Sequence, residues 1–75
     1  MRHQLDITRD LCPMTFVKTK LELEELAPGD ELVVLLREGE PLLNVGRSVR
    51  EDGHEVLSTE QTERPGIWRL TIRRS

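Results

Sequence analysis

The chain has 75 residues, 36% of them hydrophobic and 33% charged. This suits one folded, soluble domain with a small core rather than a disordered segment. The formal net charge is −3, and Phe16 and Trp68 are the only aromatic residues. That argues against direct nucleic-acid binding, which favours a basic excess and stacking platforms. The single cysteine, Cys12, excludes an internal disulfide and a two-thiol redox cycle, but not a chemistry that needs one thiol.

Leu5-Asp6-Ile7-Thr8 alternates apolar and polar residues and predicts a short strand. No signal-peptide core precedes it and no apolar run is long enough to span a membrane, so a cytoplasmic location is expected. Pro13 suits a first helical position, because its fixed φ fits the helix and its missing N–H is not needed there. That places Cys12 at the N-cap, beside unpaired backbone donors and the positive end of the helix dipole, where a thiol ionises more readily than free cysteine. Asp10 works against this, since a nearby carboxylate raises a thiol pKa. The same position also fits a cysteine that is merely a small buried hydrophobe.

The helix is expected from Pro13 to about Leu26, with Phe16, Thr19, Leu23 and Leu26 on its buried face. Ala27-Pro28-Gly29-Asp30 stops it, and Leu32-Val33-Val34-Leu35-Leu36, apolar on both faces, predicts a central strand. A second helix or helical turn is expected over about 41–52, with Leu43, Val45 and Val49 as its apolar residues and Gly46 weakening or interrupting it. Strands over about 54–61 and 67–73 follow, joined by a turn at 62–66. The order βαβαββ with right-handed crossovers predicts an α/β (α+β) two-layer sandwich. In it a four-stranded mixed sheet carries two helices on one face, within a single domain over 1–75.

Lys18, Lys20, Arg47 and Arg50 are candidates for docking an acidic partner, against the simpler reading of solvated helix edges. Cys12, His3 and His54 lack metal-ligand spacing, so neither a metal nor a cofactor is expected. Met14 fits packing or partner contact beside the thiol, although a thioether also binds soft metals. Trp68 reads as core, and Arg69, Arg73 and Arg74 as a basic edge that discourages strand aggregation.

Leu5-Asp6, Cys12-Pro13-Met14, Val17-Lys18-Thr19-Lys20, Pro28-Gly29-Asp30-Glu31-Leu32, Gly53-His54-Glu55-Val56-Leu57 and Trp68-Arg69-Leu70-Thr71-Ile72-Arg73 occur in the order found in the TusA (SirA-like) sulfurtransferase family, which the chain resembles from about Gln4 to Arg74. The resemblance implies a βαβαββ two-layer fold and a basic residue at Lys20. It also implies a catalytic Cys12 that accepts sulfur as a persulfide from a protein donor, such as a cysteine desulfurase, and relays it to a protein acceptor. The chain departs from the family's Cys-Pro-x-Pro motif at Thr15, which stands where the second proline would be. Thr15 keeps its N–H and adds a hydroxyl, so the helix start formed by Pro13, Met14 and Thr15 gains a donor for an anionic sulfur. tRNA thiolation, molybdenum-cofactor maturation and other sulfur trafficking are all compatible, and a monomer suits a shuttle with successive partners. A non-catalytic regulatory interaction module and, with less support, an RNA-binding domain are the competing readings.

Overall fold

Six elements follow in the order β1 (Arg2–Asp6), α1 (Met14–Glu24), β2 (Glu31–Arg37), α2 (Glu40–Glu51), β3 (Glu55–Gln61) and β4 (Ile67–Arg73). They belong to a computed structural model that describes residues 2–11 and 13–75, with Met1 and Cys12 outside the described residues. The strands form one sheet in the order β1-β2-β4-β3. β1 lies parallel to β2, while β4 runs antiparallel to both β2 and β3. The expected mixed four-stranded sheet with two helices is therefore what the chain adopts. Because β1, β2 and β3 share one direction, the chain leaves them, at Ile7, Glu38 and Thr62, at the same end of the sheet. The N-termini of α1 and α2 stand at that end.

Strand alternation sorts β2 between two environments. Leu32, Val34 and Leu36 are fully buried and join Leu70 and Ile72 of β4, Leu23 of α1, Val45 and Val49 of α2, and Ile7 and Leu26 in one cluster beneath the helices. Glu31 and Val33 turn to the opposite face. There they line an open concavity of about 620 Å³ with Arg2, Gln4, Glu60, Arg69 and Thr71. The irregularity of register between Val56 and Ser58 leaves Leu57 on the rim of the same concavity.

Several local expectations are corrected. β1 begins at Arg2 and ends at Asp6, because Asp6 accepts hydrogen bonds from the amide (2.9 Å) and hydroxyl (2.7 Å) of Thr8 and turns the chain off the sheet. α2 runs unbroken through Gly46, which is buried, and its inward apolar residues are Leu42, Val45 and Val49, with Leu43 66% exposed. Pro41 is the second helical residue, preceded by Glu40 and by an N-cap at Gly39, whose φ of 92° suits glycine. Trp68 lies at the rim of the core, half-buried, with its indole N–H directed at Glu38 Oε2 (3.4 Å).

The far end of the sheet is closed by Arg74. Its Nε donates to the carbonyl of Leu23 near the end of α1 (2.7 Å), its amide donates to the Asp30 carbonyl (2.9 Å), and its own carbonyl accepts from Gly29 (2.8 Å). One residue past β4 thus supplies an acceptor and donors to the α1–β2 turn. Asp30 also receives the amide of Ala27 on Oδ2 (3.1 Å), which holds its carboxyl below the usual range.

Candidate functional site

Cys12, the catalytic residue the sequence points to, lies outside the described residues; the residues around it can be described. Ile7 continues the β1 register by donating its amide to Leu35 (2.9 Å), and it is buried. Beyond it the chain turns, with Asp10 donating its amide to Ile7 (3.2 Å). The Thr8 amide and hydroxyl hold the Asp6 carboxyl below its ordinary range. Asp10 is gripped from α1 by Lys18, whose Nζ lies 2.8 Å from Oδ1. The carboxylate expected to oppose a nearby thiolate is therefore partnered by a cation.

Pro13 is the N-cap of α1 rather than its first helical residue, one position later than expected. Its carbonyl accepts the amide of Val17 (3.0 Å), and Met14 donates back to Leu11 (2.7 Å). Its φ of −90° and ψ of 4° lie outside the helical well, although a proline φ fits either position. Leu11 is 79% exposed and Met14 45%, large apolar side chains facing solvent on either side of position 12.

The inward stripe of α1 is Thr15, Thr19 and Leu23, with Phe16 half-buried at its margin. Thr19 spends its hydroxyl on the Thr15 carbonyl (2.8 Å). Thr15 is fully buried, and its own hydroxyl has no hydrogen-bond partner among the described residues. A buried hydroxyl without a partner is costly, and sites that keep one generally use it.

Of the four docking candidates, Lys18 is paired with Asp10 and Lys20 faces Asp52 at 3.7 Å. Arg47 and Arg50 have no carboxylate within ion-pair distance among the described residues. Arg47 is brought to the site, lining a groove of about 290 Å³ between the helices with Pro13, Phe16, Asn44, Ser48 and Glu51; Arg50 is not among the lining residues. Sequence reasoning missed Leu11, the exposure of Leu43 and this groove. The spacing Leu42, Val45, Val49 was the available signal for Leu43, since it leaves Leu43 on the outer side. Among the described residues no three His, Cys, Asp or Glu side chains gather as a metal site, and no helix is long and apolar enough to cross a membrane.

Comparison with known proteins agrees with the geometry. The family described as Sulfurtransferase TusA matches residues 3–74. A protein of Archaeoglobus fulgidus, provisionally named a sulfur carrier, is 47% identical over 57 residues, covering 76% of this chain and 65% of that relative's length. A Methanocaldococcus jannaschii protein with the same provisional name is 42% identical over 60 residues, 80% of each chain. The crystal structure of a SirA-like protein from Desulfitobacterium hafniense superposes with a TM-score of 0.83 at 21% identity, over 95% of both chains, and so shares the fold.

Proposed function

The chain belongs to the TusA sulfurtransferase family, and on that footing we propose that it is a cytoplasmic sulfur carrier whose Cys12 accepts, holds and passes on one sulfur atom as a persulfide. The observation that carries this reading is positional: the chain's one cysteine stands in sequence between Leu11 and Pro13, both exposed, where α1 begins. First-turn amides of a helix lack intrahelical acceptors, and the positive end of the dipole favours an anion there.

The transfer balances without an external oxidant or reductant. The Cys12 thiolate attacks the terminal sulfur of a donor persulfide, R–S–SH. A new S–S bond forms to Cys12, the donor's S–S bond breaks, and the donor leaves as R–S⁻. An acceptor thiolate then attacks the outer sulfur of the Cys12 persulfide, and Cys12 departs as a thiolate. No general base is required, because each attacking sulfur is already deprotonated. Pairing of Asp10 with Lys18 offsets the charge that would oppose ionisation. We assign the idle Thr15 hydroxyl to the sulfur anion, as the counterpart of the missing second proline. A cysteine desulfurase is the donor class that fits, with a second protein as acceptor and a monomeric carrier between them.

Incubation with a desulfurase plus cysteine, followed by intact-mass measurement, tests the proposal. The protein should gain one sulfur atom, lose it to dithiothreitol, and gain none as Cys12→Ala. Absence of the adduct with every persulfide donor tried would overturn the reading.

A further inference from the structure

Three of the large exposed apolar side chains, Leu11, Met14 and Leu43, belong to the loop and helix starts at one end of the molecule. Helix geometry places Leu43 there together with Arg47. α1 and α2 run in the same direction and are bridged by Lys20 and Asp52. From that bridge, Met14 lies about 9 Å back along α1 and Arg47 about 7.5 Å back along α2, at 1.5 Å per residue. Arg47 is therefore level with the first turn of α1, as its place in the groove beside Pro13 and Phe16 requires. Leu43 lies one turn further towards the start of α2, on the same side as Arg47.

The charges of this end are unequal. Lys18 and Lys20 are each committed to a carboxylate, whereas Arg47 has none within ion-pair distance among the described residues. Arg47, unpaired among the described residues, thus shares the groove with Glu51 near the positive end of α1, in a chain whose net charge is −3. Exposed apolar side chains at the same end as a groove lined by Pro13 and Phe16 mark a protein-interaction surface, and a flexible methionine suits one that meets more than one partner.

From this we propose that the α1–α2 groove beside Pro13 recognises a polypeptide segment that carries its reactive cysteine beside a carboxylate and an apolar side chain. Arg47 takes the carboxylate, and Leu11, Met14 and Leu43 take the apolar group. The inference rests on the persulfide reading and deepens it by stating the chemistry of the partner's docking segment. Lys18 and Lys20 hold the scaffold and are not part of the recognition surface.

Short synthetic peptides whose cysteine is a 2-thiopyridyl disulfide provide the test. The Cys12 thiolate displaces pyridine-2-thione and forms a mixed disulfide with the peptide, and the released thione is followed by absorbance. A peptide with aspartate and leucine flanking its cysteine should react on the order of tenfold faster than one with lysine and serine, with the advantage shrinking in high salt. Arg47→Glu should reverse the charge preference and Leu43→Ser should remove the apolar one. Arg50→Glu, outside the groove, should leave both intact, and dividing each peptide rate by the same variant's iodoacetamide rate removes any change in thiol ionisation. Equal rates for all peptides with a normally reactive thiol would overturn the docking inference and leave the persulfide reading standing. An equal effect of Arg50→Glu would overturn it too, as a mere field effect. A thiol inert to iodoacetamide and peptides alike would overturn both.

Discussion

Replacing Thr15 by valine separates stability from function in a way the structure makes quantitative. The two side chains are nearly equal in volume and close in helix propensity, so the change trades a buried hydroxyl for a methyl at constant shape. Thr15 is completely buried with a hydroxyl that no described group satisfies. Such a group costs about 1–3 kcal/mol, and a buried methyl recovers part of a further ~0.8 kcal/mol. Taking about 1 kcal/mol as the net gain, the melting temperature of the sulfur-free protein should rise by roughly 4–8 °C for a domain of this size. The persulfidated protein should gain less, because there the wild-type hydroxyl has an anion to serve, and sulfur release to an acceptor thiol should differ between the two proteins. Thermal unfolding followed by circular dichroism, on reduced and persulfide-loaded samples, reads both effects. A lower melting temperature for reduced Thr15→Val would refute the reasoning, since the hydroxyl would then already be satisfied.

Leu70→Ala removes a side chain that is 1% exposed at the centre of the core; a loss of about 2–5 kcal/mol is expected. Set against roughly 0.05–0.15 kcal/mol per residue of total stability, urea titration should find much of this variant unfolded near room temperature. Asp6 is lowered in the folded state by the Thr8 amide and hydroxyl. Its contribution is therefore present above the unfolded carboxylate pKa and is lost as pH falls through the folded one, below about pH 4. Asp6→Asn should flatten that acid limb in a pH series of unfolding midpoints, and an unchanged limb would count against the Asp6–Thr8 turn. Gly39→Ala forces a φ of 92° and ψ of −141° on a residue with a Cβ, costing about 1–3 kcal/mol at the start of α2, measurable as a lower denaturation midpoint.

The elements most legible in the sequence were those whose pattern admits one environment. The run Leu32 to Leu36 is apolar on both sides and had to be interior, while β4 is bounded by Gly66 and the polar Arg73-Arg74 and begins and ends as expected. The start of α1 was displaced by one residue because a proline φ is compatible with either the N-cap or the first helical position. Leu42 and Leu43 are adjacent and equally apolar, and only their registration with Val45 and Val49 decides which is inward. The partners of the lysines were not legible in the sequence, for a different reason. Asp10–Lys18 and Lys20–Asp52 are tertiary pairings that no local pattern announces, as is the meeting of Pro13 with Arg47 across two helices.

Arg74 gives the fold a coupling that neighbours in sequence could not. Its bond to the Leu23 carbonyl spans 51 positions and adds to the one that carbonyl already accepts from the Leu26 amide, so the end of α1 is tied to the tail of the final strand. Opening the α1–β2 corner and detaching the tail of β4 are then one event rather than two. The amides of Gly29 and Arg74 should accordingly exchange with solvent at a common slow rate, set by whole-molecule unfolding.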